Sequence, residues 1–159
     1  MSIKDNILKI KSEIDTKTKL VAVSKTRGND LILEAYNNNQ IDFGENRVQE
    51  LAKKHEDLPK DIKWHMIGHL QTKKVKYIAK FITLIHTVDS IKLIDEINKR
   101  AKNEQRIIDC LLQVHIANEE HKFGFKKSEI SEILDYTCLL YTSDAADDLL
   151  CVDLGGRRI

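Results

Sequence analysis

The sequence predicts an α/β protein, a partial (β/α)8 barrel of the TIM type with about five of its eight βα units. Short apolar runs alternate with longer stretches of helical periodicity, as expected for parallel strands joined by helical crossovers. Polar residues and glycines follow each predicted strand, which favours a barrel, because its site is built from the loops after its strands. The alternative is a doubly wound open sheet, which places its site only at a switch point. Neither GxGxxG nor a GxxxxGK phosphate loop occurs, so the usual nucleotide sites of such sheets are disfavoured.

The predicted elements are one helix followed by five βα units. Residues 1–17 have a charged amphipathic pattern that predicts the first helix. Strands are predicted at 19–24, 40–43, 62–67, 81–87 and 107–116. Helices are predicted at 29–39, 46–58, 69–80 and 90–104, with a last helix after residue 128.

Helical spacing also predicts which faces are buried and where two helices begin. In the helix at 46–58 the apolar face is formed by Val48, Leu51, Ala52 and His55. In the helix at 90–104 it is formed by Ile91, Ile94, Ile97 and Ala101. Asp89 and Ser128 are the predicted N-caps of the last two helices.

Composition limits the class of protein. With 42% hydrophobic and 32% charged residues, the 159-residue chain is expected to be a soluble globular protein with one core. No apolar run approaches the roughly 20 residues of a membrane span, and no signal peptide is evident, so a cytoplasmic location is expected. The three cysteines form no CxxC pair, which predicts neither disulfides nor structural zinc. The net charge of +1 gives no indication of nucleic-acid binding.

Residues 138–159 differ in composition from the rest of the chain. They contain no lysine, whereas residues 1–137 contain 20, and they hold two of the three cysteines. Codons that would encode 138–147 and 152–159 resemble a transposon-end adapter used in sequencing libraries. We therefore expect residues 1–137 to form the N-terminal part of a single domain. Residues 138–159 are expected to be a non-native tail that results from read-through into the adapter. The alternative is a genuine, divergent carboxyl terminus.

The first predicted strand ends on a lysine, in the stretch VAVSKTRG at residues 21–28. A lysine in this place can simply reach solvent, or it can act as an amine nucleophile. At an unperturbed pKa near 10.4, only about one lysine in 2,500 is neutral at pH 7. A nucleophilic Lys25 is therefore expected to be buried, because burial lowers the pKa of an amine.

Five segments carry a resemblance to a known family. They are LVAVSKT (20–26), FGENRVQE (43–50), WHMIGHLQTKKVK (64–76), HTVDSIKL (86–93) and LLQVHIANEEHKFGF (111–125). In this order and spacing they resemble the YggS-type pyridoxal phosphate homeostasis proteins, which are similar to the N-terminal barrel domain of alanine racemase. The resemblance implies a carrier and regulator of pyridoxal 5'-phosphate rather than an established catalyst. It also implies that the cofactor is held as an internal aldimine on a first-strand lysine, which matches Lys25.

Two further residues are candidates for cofactor binding, Asn46 and His69. Asn46 falls on the GEN position beside the cofactor, although with Gln49 it could also form a capping pair. His69 would lie at the mouth of the barrel. His65 and His69 would form a metal pair on one helix, but they flank a predicted strand break at Gly68. No metal site is therefore expected, and His65 is predicted to be structural.

The resemblance also implies that part of the family's barrel is missing from this chain. Five strands are predicted where a complete barrel has eight. Lys122 and Gly124 match the loop after the fifth strand, for which a solvated turn is the plain alternative. The family's phosphate-binding residues belong to a later part, so we expect a C-terminally truncated fragment that retains cofactor weakly. The expected partners are pyridoxal phosphate and apo-enzymes that accept it.

Two other functions remain open at the level of sequence. The first is a pyridoxal phosphate-dependent amino-acid racemase of the same barrel type. Such an enzyme needs acid and base groups on both cofactor faces, and residues 1–137 show no second-domain tyrosine to supply one. The second is a lyase in which Lys25 forms a Schiff base directly with a carbonyl substrate.

Overall fold

A computed structural model describes residues 2–116 and 123–142, with side chains described up to residue 138. The main sheet consists of β1 (Ala22–Val23), β2 (Asp42–Glu45), β3 (Lys63–Met66), β4 (Leu84–Val88) and β5 (Asp109–Leu112). All four pairings are parallel and join strands that follow one another along the chain. This order is that of a (β/α) barrel, because a doubly wound sheet reverses its strand order at a switch point. The partial barrel is confirmed, and the described strands form an open sheet.

The described helices alternate with these strands as predicted. They are α1 (Ile3–Glu13), α2 (Asn29–Asn37), α3 (Val48–Asp57), α4 (Ile91–Asn103) and α5 (Ile130–Thr142). A 3-10 helix at Thr72–Tyr77 connects β3 to β4. Beyond β5, a small parallel pair is formed by β6 (Val114–His115) and β7 (Phe125–Lys126). None of the helices in the described part of the chain has the length and apolar character that a membrane crossing requires.

The core lies between the sheet and the helices that cover one of its faces. Alternate strand residues point into this core because successive side chains of a strand face opposite sides. The largest buried residues from the strands are Phe43, Trp64, Met66 and Ile85. The opposite face carries Val23, Gly44 and His65, which are paired in register. Val23 is 54% exposed, so this second face is partly open in the described structure.

Side chains also tie the chain together at the amino ends of the strands. The guanidinium of Arg106 donates to the backbone carbonyl of Ala79 at 2.6 Å and to that of Ile82 at 3.0 Å. Ala79 and Ile82 precede β4, and Arg106 precedes β5. The buried amide of Gln40 donates to the carbonyl of Leu20 at 2.8 Å, just before β1. These bonds anchor the segments that lead into the sheet.

Two predicted N-caps are wrong. Ser90, not Asp89, is the N-cap of α4, because the Asp89 carboxylate is engaged by a histidine described below. Ser128 lies within a 3-10 turn at Lys127–Glu129 rather than at a cap. The carboxylate of Glu129 accepts the backbone N–H of Lys126 instead.

Several predicted boundaries and faces also differ from the structure. β1 is only two residues long, β2 begins two residues late, and the third crossover is a 3-10 helix instead of an α-helix. In α4 the buried residues are Leu93, Ile97 and Ala101, which recur every four residues. Ile91 is exposed because it lies two positions before Leu93, about 200° around the helix.

A cavity of about 590 Å³ lies between α4 and β5, on the face of the sheet that the helices cover. Cys110 and Leu112 of β5 line it together with Ile94 and Ile97 of α4. Burial, followed by the charge of Asp109, raises the pKa of the Cys110 thiol to about 12, so this thiol is unreactive at neutral pH. The cavity is therefore an apolar gap in the helix layer and does not belong to the site at the strand ends.

Candidate functional site

Lys25 lies in the turn that follows β1. Ser24 before it is buried, and Thr26 after it has the left-handed backbone conformation, with φ of 63°. The N–H of Arg27 donates to the carbonyl of Ser24 at 3.0 Å and closes the turn. Lys25 itself is exposed, and its amine has no hydrogen bond or ion pair to any residue that the structure describes. The burial that the sequence leads us to expect of a nucleophilic Lys25 is therefore not found among the described residues.

A second lysine, Lys54 of α3, is buried directly behind this turn. Its ammonium donates to the carbonyl of Ser24 at 2.8 Å and to one carboxylate oxygen each of Glu45 and Glu50 at 2.7 Å. Its side chain is 7% exposed, and that of Glu45 is fully buried. A buried ammonium needs such partners, because an unpaired charge is costly in a medium of low dielectric constant.

The same carboxylates also hold the backbone and side chains around Lys25. Ser24 Oγ donates to Glu45 at 2.6 Å, and the backbone N–H of Thr26 donates to Glu50 at 2.7 Å. The hydrogen bond from Lys54 is the main cause that lowers the pKa of Glu50. Glu50 is therefore ionised at neutral pH, and the residues on both sides of Lys25 are bonded to one charged cluster.

The loops after β2 and β3 pack against each other, backbone to backbone. A Cβ on Gly68 would lie 2.7 Å from the Cα of Asn46, a distance that side chains do not adopt. Gly68 thus allows the loop that carries Asn46 and the loop that carries His69 to meet. Thr87 Oγ donates to the Gly68 carbonyl at 2.7 Å and fixes the second loop to β4. Two of the predicted cofactor-binding residues are therefore on adjoining loops.

His69 is held in a defined orientation at this edge of the sheet. Its Nδ1 lies 2.9 Å from a carboxylate oxygen of Asp89, whose side chain is 7% exposed. Its ring stacks on that of Phe123, with centroids 4.0 Å apart. The carboxylate fixes the ring and leaves Nε2 available, as in other carboxylate–histidine pairs. Its partners differ from those of His65, so the two histidines do not act as a pair.

His65 belongs to a polar chain across the open face of the sheet. Its Nε2 lies 2.9 Å from Asp42 of β2, and its Nδ1 lies 2.9 Å from Nε2 of His86 on β4. Burial, followed by the charge of His65, lowers the pKa of His86. The prediction that His65 is structural agrees with these contacts, since it joins three strands.

The predicted capping pair of Asn46 and Gln49 is not formed. Arg47 is the N-cap of α3, and no side chain bonds there. The capping role offered as the alternative for Asn46 is therefore absent, and the contact of Asn46 with the cofactor stays a prediction. Lys122, which the sequence placed in the loop after the fifth strand, lies outside the described residues. Gly124 of that loop has a φ of 135°, a conformation that favours glycine.

Sequence reasoning did not single out Asp42, Glu45, Lys54 and His86. Glu50 and Lys54 are four residues apart, which is the spacing of a helical ion pair. That signal alone is typical of an exposed helix face, so it does not reveal that Lys54 is buried. The burial depends on Glu45 of a different element, which only the fold brings within hydrogen-bonding distance.

Comparison with known proteins places these features in a family. Residues 1–140 match the family model described as "Alanine racemase, N-terminal domain". The chain belongs to this family. A similar relative is the "Pyridoxal phosphate homeostasis protein" of Aquifex aeolicus, which is 44% identical over 120 residues, or 75% of this chain and 53% of that protein. The human protein of the same name is 39% identical over 127 residues, or 74% of this chain and 46% of that protein.

Solved structures agree with this assignment. PipY of Synechococcus elongatus, a member of the COG0325 family, has a TM-score of 0.81 without PLP and 0.80 with PLP bound, at 32% identity. Each comparison covers 87% of this chain, and 66% and 65% of PipY respectively. An alanine racemase of Clostridium difficile, at 16% identity and a TM-score of 0.67, shares the fold. The expected YggS-type resemblance is confirmed, and the chain spans about half the length of the curated relatives it matches.

Proposed function

We propose that this chain is the N-terminal, amine-bearing part of a protein that binds pyridoxal 5'-phosphate in cofactor homeostasis, and that Lys25 forms the Schiff base. The relatives named for pyridoxal phosphate homeostasis and the PLP-bound PipY structure support the cofactor. The observation that carries the choice of residue is the position of Lys25 at the carboxyl end of β1, in a turn whose two neighbouring residues are fixed by hydrogen bonds.

The described residues fit the aldehyde side of this cofactor. Lys25 would hold the cofactor through its amine, and the cofactor would supply an aldehyde that condenses with this amine with loss of water. Asn46 and His69, on the loops after the next two strands, supply an amide and an imidazole as cofactor contacts. Asp89 orients the imidazole by its hydrogen bond to Nδ1. Exposure leaves the amine open to the cofactor.

The domain boundaries belong to the same proposal. Residues 1–137 form the N-terminal part of one cofactor-binding barrel domain, and residues 138–159 are a non-native tail. We place the residues that hold the phosphate in the part of the longer relatives that this chain does not match. The protein acts in the cytoplasm, and apo-enzymes that accept the cofactor are its partners.

The test is covalent labelling of the 159-residue chain with pyridoxal phosphate. We expect an imine absorbance band and, after borohydride reduction, a pyridoxyl group on Lys25 by peptide mass spectrometry. Lys25→Ala should abolish the label at this position and strongly reduce the imine band. Lys19→Ala is the matched control, because Lys19 is a surface lysine before the same strand and should leave both unchanged. Equal labelling of the chain with and without Lys25 would refute the assignment.

A pyridoxal phosphate-dependent racemase-like activity is the second candidate, favoured by one observation. His69 is an imidazole oriented by a carboxylate at the same edge of the sheet, which is the arrangement of a general base. If the chain has this activity, the α-proton of alanine exchanges with deuterated water in the presence of cofactor. His69→Gln should then abolish exchange while the Lys25 label remains. No exchange in the unaltered chain would remove this candidate.

A further inference from the structure

The two residues next to Lys25 are held by one buried ion-pair cluster. We call Glu45, Glu50 and Lys54 the clamp, because their charged groups bond to the chain on either side of Lys25. Lys54 Nζ donates to the Ser24 carbonyl, the last peptide group before Lys25, at 2.8 Å. Glu50 accepts the N–H of Thr26, the first peptide group after it, at 2.7 Å. The backbone is thus fixed on both sides of Lys25. The Ser24 carbonyl is bonded to the ammonium of Lys54 directly, and the Thr26 N–H is connected to it through Glu50.

The conformation of the turn makes these anchors necessary. Thr26 has a φ of 63°, and a β-branched residue in the left-handed region is strained. Such a conformation persists only where the surroundings fix it. The hydrogen bond from Thr26 to an ionised carboxylate is of the strong, charge-assisted kind. The clamp therefore holds a turn that the local sequence would not adopt by itself.

Stability alone gives a weak reason for such a cluster. A buried ion pair costs desolvation energy on both charges and is often no better than packed apolar residues. Here one ammonium faces two carboxylates, and Glu45 Oε2 is buried with no partner among the described residues. A feature with this cost is better explained by the conformation that it fixes.

We propose that Glu45, Glu50 and Lys54 are positioning residues. By fixing the backbone on both sides of Lys25, they orient its side chain relative to the sheet. This inference rests on the proposed function of Lys25. None of the three residues touches the cofactor in this proposal; they act on the backbone of Ser24 and Thr26. Their effect is that Lys25 reacts in preference to the 19 other lysines of the chain, most of which are also exposed.

The experiment compares how selectively pyridoxal phosphate labels Lys25 in clamp variants. Glu50→Ala removes both the charge and the acceptor for Thr26, whereas Glu50→Gln keeps an acceptor oxygen. We expect the initial rate of labelling at Lys25, relative to the other lysines, to fall by about tenfold or more in Glu50→Ala, because misplacing a reacting group by about 1 Å can cost a hundredfold. Glu50→Gln should lie between Glu50→Ala and the unaltered chain.

A matched control comes from α4. Glu96 and Arg100 form a second helical ion pair with a 2.6 Å contact, and neither lies in the clamp. Glu96→Gln should leave the selectivity unchanged. Glu50 is partly exposed, so its variants are expected to fold even where Lys54→Met does not. Folding is checked by circular dichroism before labelling.

The outcomes separate the two proposals. If the unaltered chain shows no preference for Lys25, the proposed function fails. If it shows the preference and folded Glu50→Ala shows the same preference, the clamp proposal alone is wrong. A general loss of labelling at all lysines in Glu50→Ala, without a change in their ratio, would also overturn it, because a positioning role must alter the ratio.

Discussion

Lys25 and Lys54 show how differently two lysines of one chain can be used. Lys25 is exposed and has no partner among the described residues, whereas Lys54 is buried and donates three hydrogen bonds. The sequence drew attention to Lys25 through its place at the end of an apolar run. It gave no comparable signal for Lys54, because a lysine on an amphipathic helix is ordinarily solvated. The burial of Lys54 depends on a carboxylate from another element, so sequence periodicity could not reveal it.

At the same scale, Gly68 decides whether two site loops can meet. We expect Gly68→Ala to lower the free energy of unfolding by about 1–3 kcal/mol, because the new methyl group would overlap the backbone of Asn46. Urea denaturation followed by circular dichroism measures this change.

Gly28→Ala is the control for this experiment. A Cβ at Gly28 would meet only the end of the Asp30 side chain, which can rotate away. We expect a loss of less than about 1 kcal/mol there. Equal losses of stability at both positions would show that overlap with the backbone of Asn46 is not the reason that residue 68 must be glycine.

At the scale of elements, the order of helices and strands was predictable and their ends were not. Apolar runs and helical stripes identified every element of the main sheet, because burial imposes periods of two and 3.6 residues. The ends depend on single polar contacts. Asp89 has the chemistry of an N-cap, yet its carboxylate binds His69, which follows a different strand. Local preference was overridden there by a tertiary hydrogen bond.

The polar chain of Asp42, His65 and His86 joins β2, β3 and β4, and it makes stability depend on pH. Burial lowers the pKa of His86 below its usual 6.5, so the unfolded chain binds a proton at higher pH than the folded one. The free energy of unfolding is therefore expected to fall as the pH is lowered through 6.5. Urea midpoints at pH 7.5 and 5.5 measure the effect.

The control variant for this pH dependence is His86→Gln, which removes one titrating group and should reduce the difference between the two pH values. Some difference remains in this variant because burial and the charges of Lys60 and Lys80 also lower the pKa of His55. An unchanged difference in His86→Gln would contradict the role of His86.

At the scale of the whole molecule, the sequential parallel order of the strands distinguishes a barrel from a doubly wound sheet. Sequence alone favoured the barrel through the polar residues after each strand, and the pairing confirms it. The shift of register between Ile85 and Val88 on β4 could not be foreseen, since it arises from pairing with a particular neighbour. The presence of His65 and His86 on the same face of the sheet could likewise not be predicted, because it depends on how the strands pair.

The outer strands of the described sheet, β1 and β5, each pair with one neighbour only. Ile107, just before β5, is 71% exposed. We expect the chain to associate as its concentration rises, because exposed edges and apolar side chains pair with other copies. Ile107→Lys should reduce the association, as measured by light scattering.

Leu8→Lys is the control, because Leu8 is an exposed apolar residue on α1 and not beside β5 in the sequence. It should leave the association unchanged. An equal reduction by both variants would indicate a general effect of charge in place of an edge contact.

The hydrogen bonds of Arg106 and Gln40 lie at the amino ends of the strands, opposite to the loops that carry Lys25, Asn46 and His69. Residues that anchor the segments entering the sheet are thus separated along the strands from those proposed for chemistry. A library that randomises the loops at the carboxyl ends would leave these anchors intact. The scaffold is therefore a starting point for directed evolution of the carboxyl-end loops, provided that Gly68 is kept, because its replacement is expected to destabilise the chain.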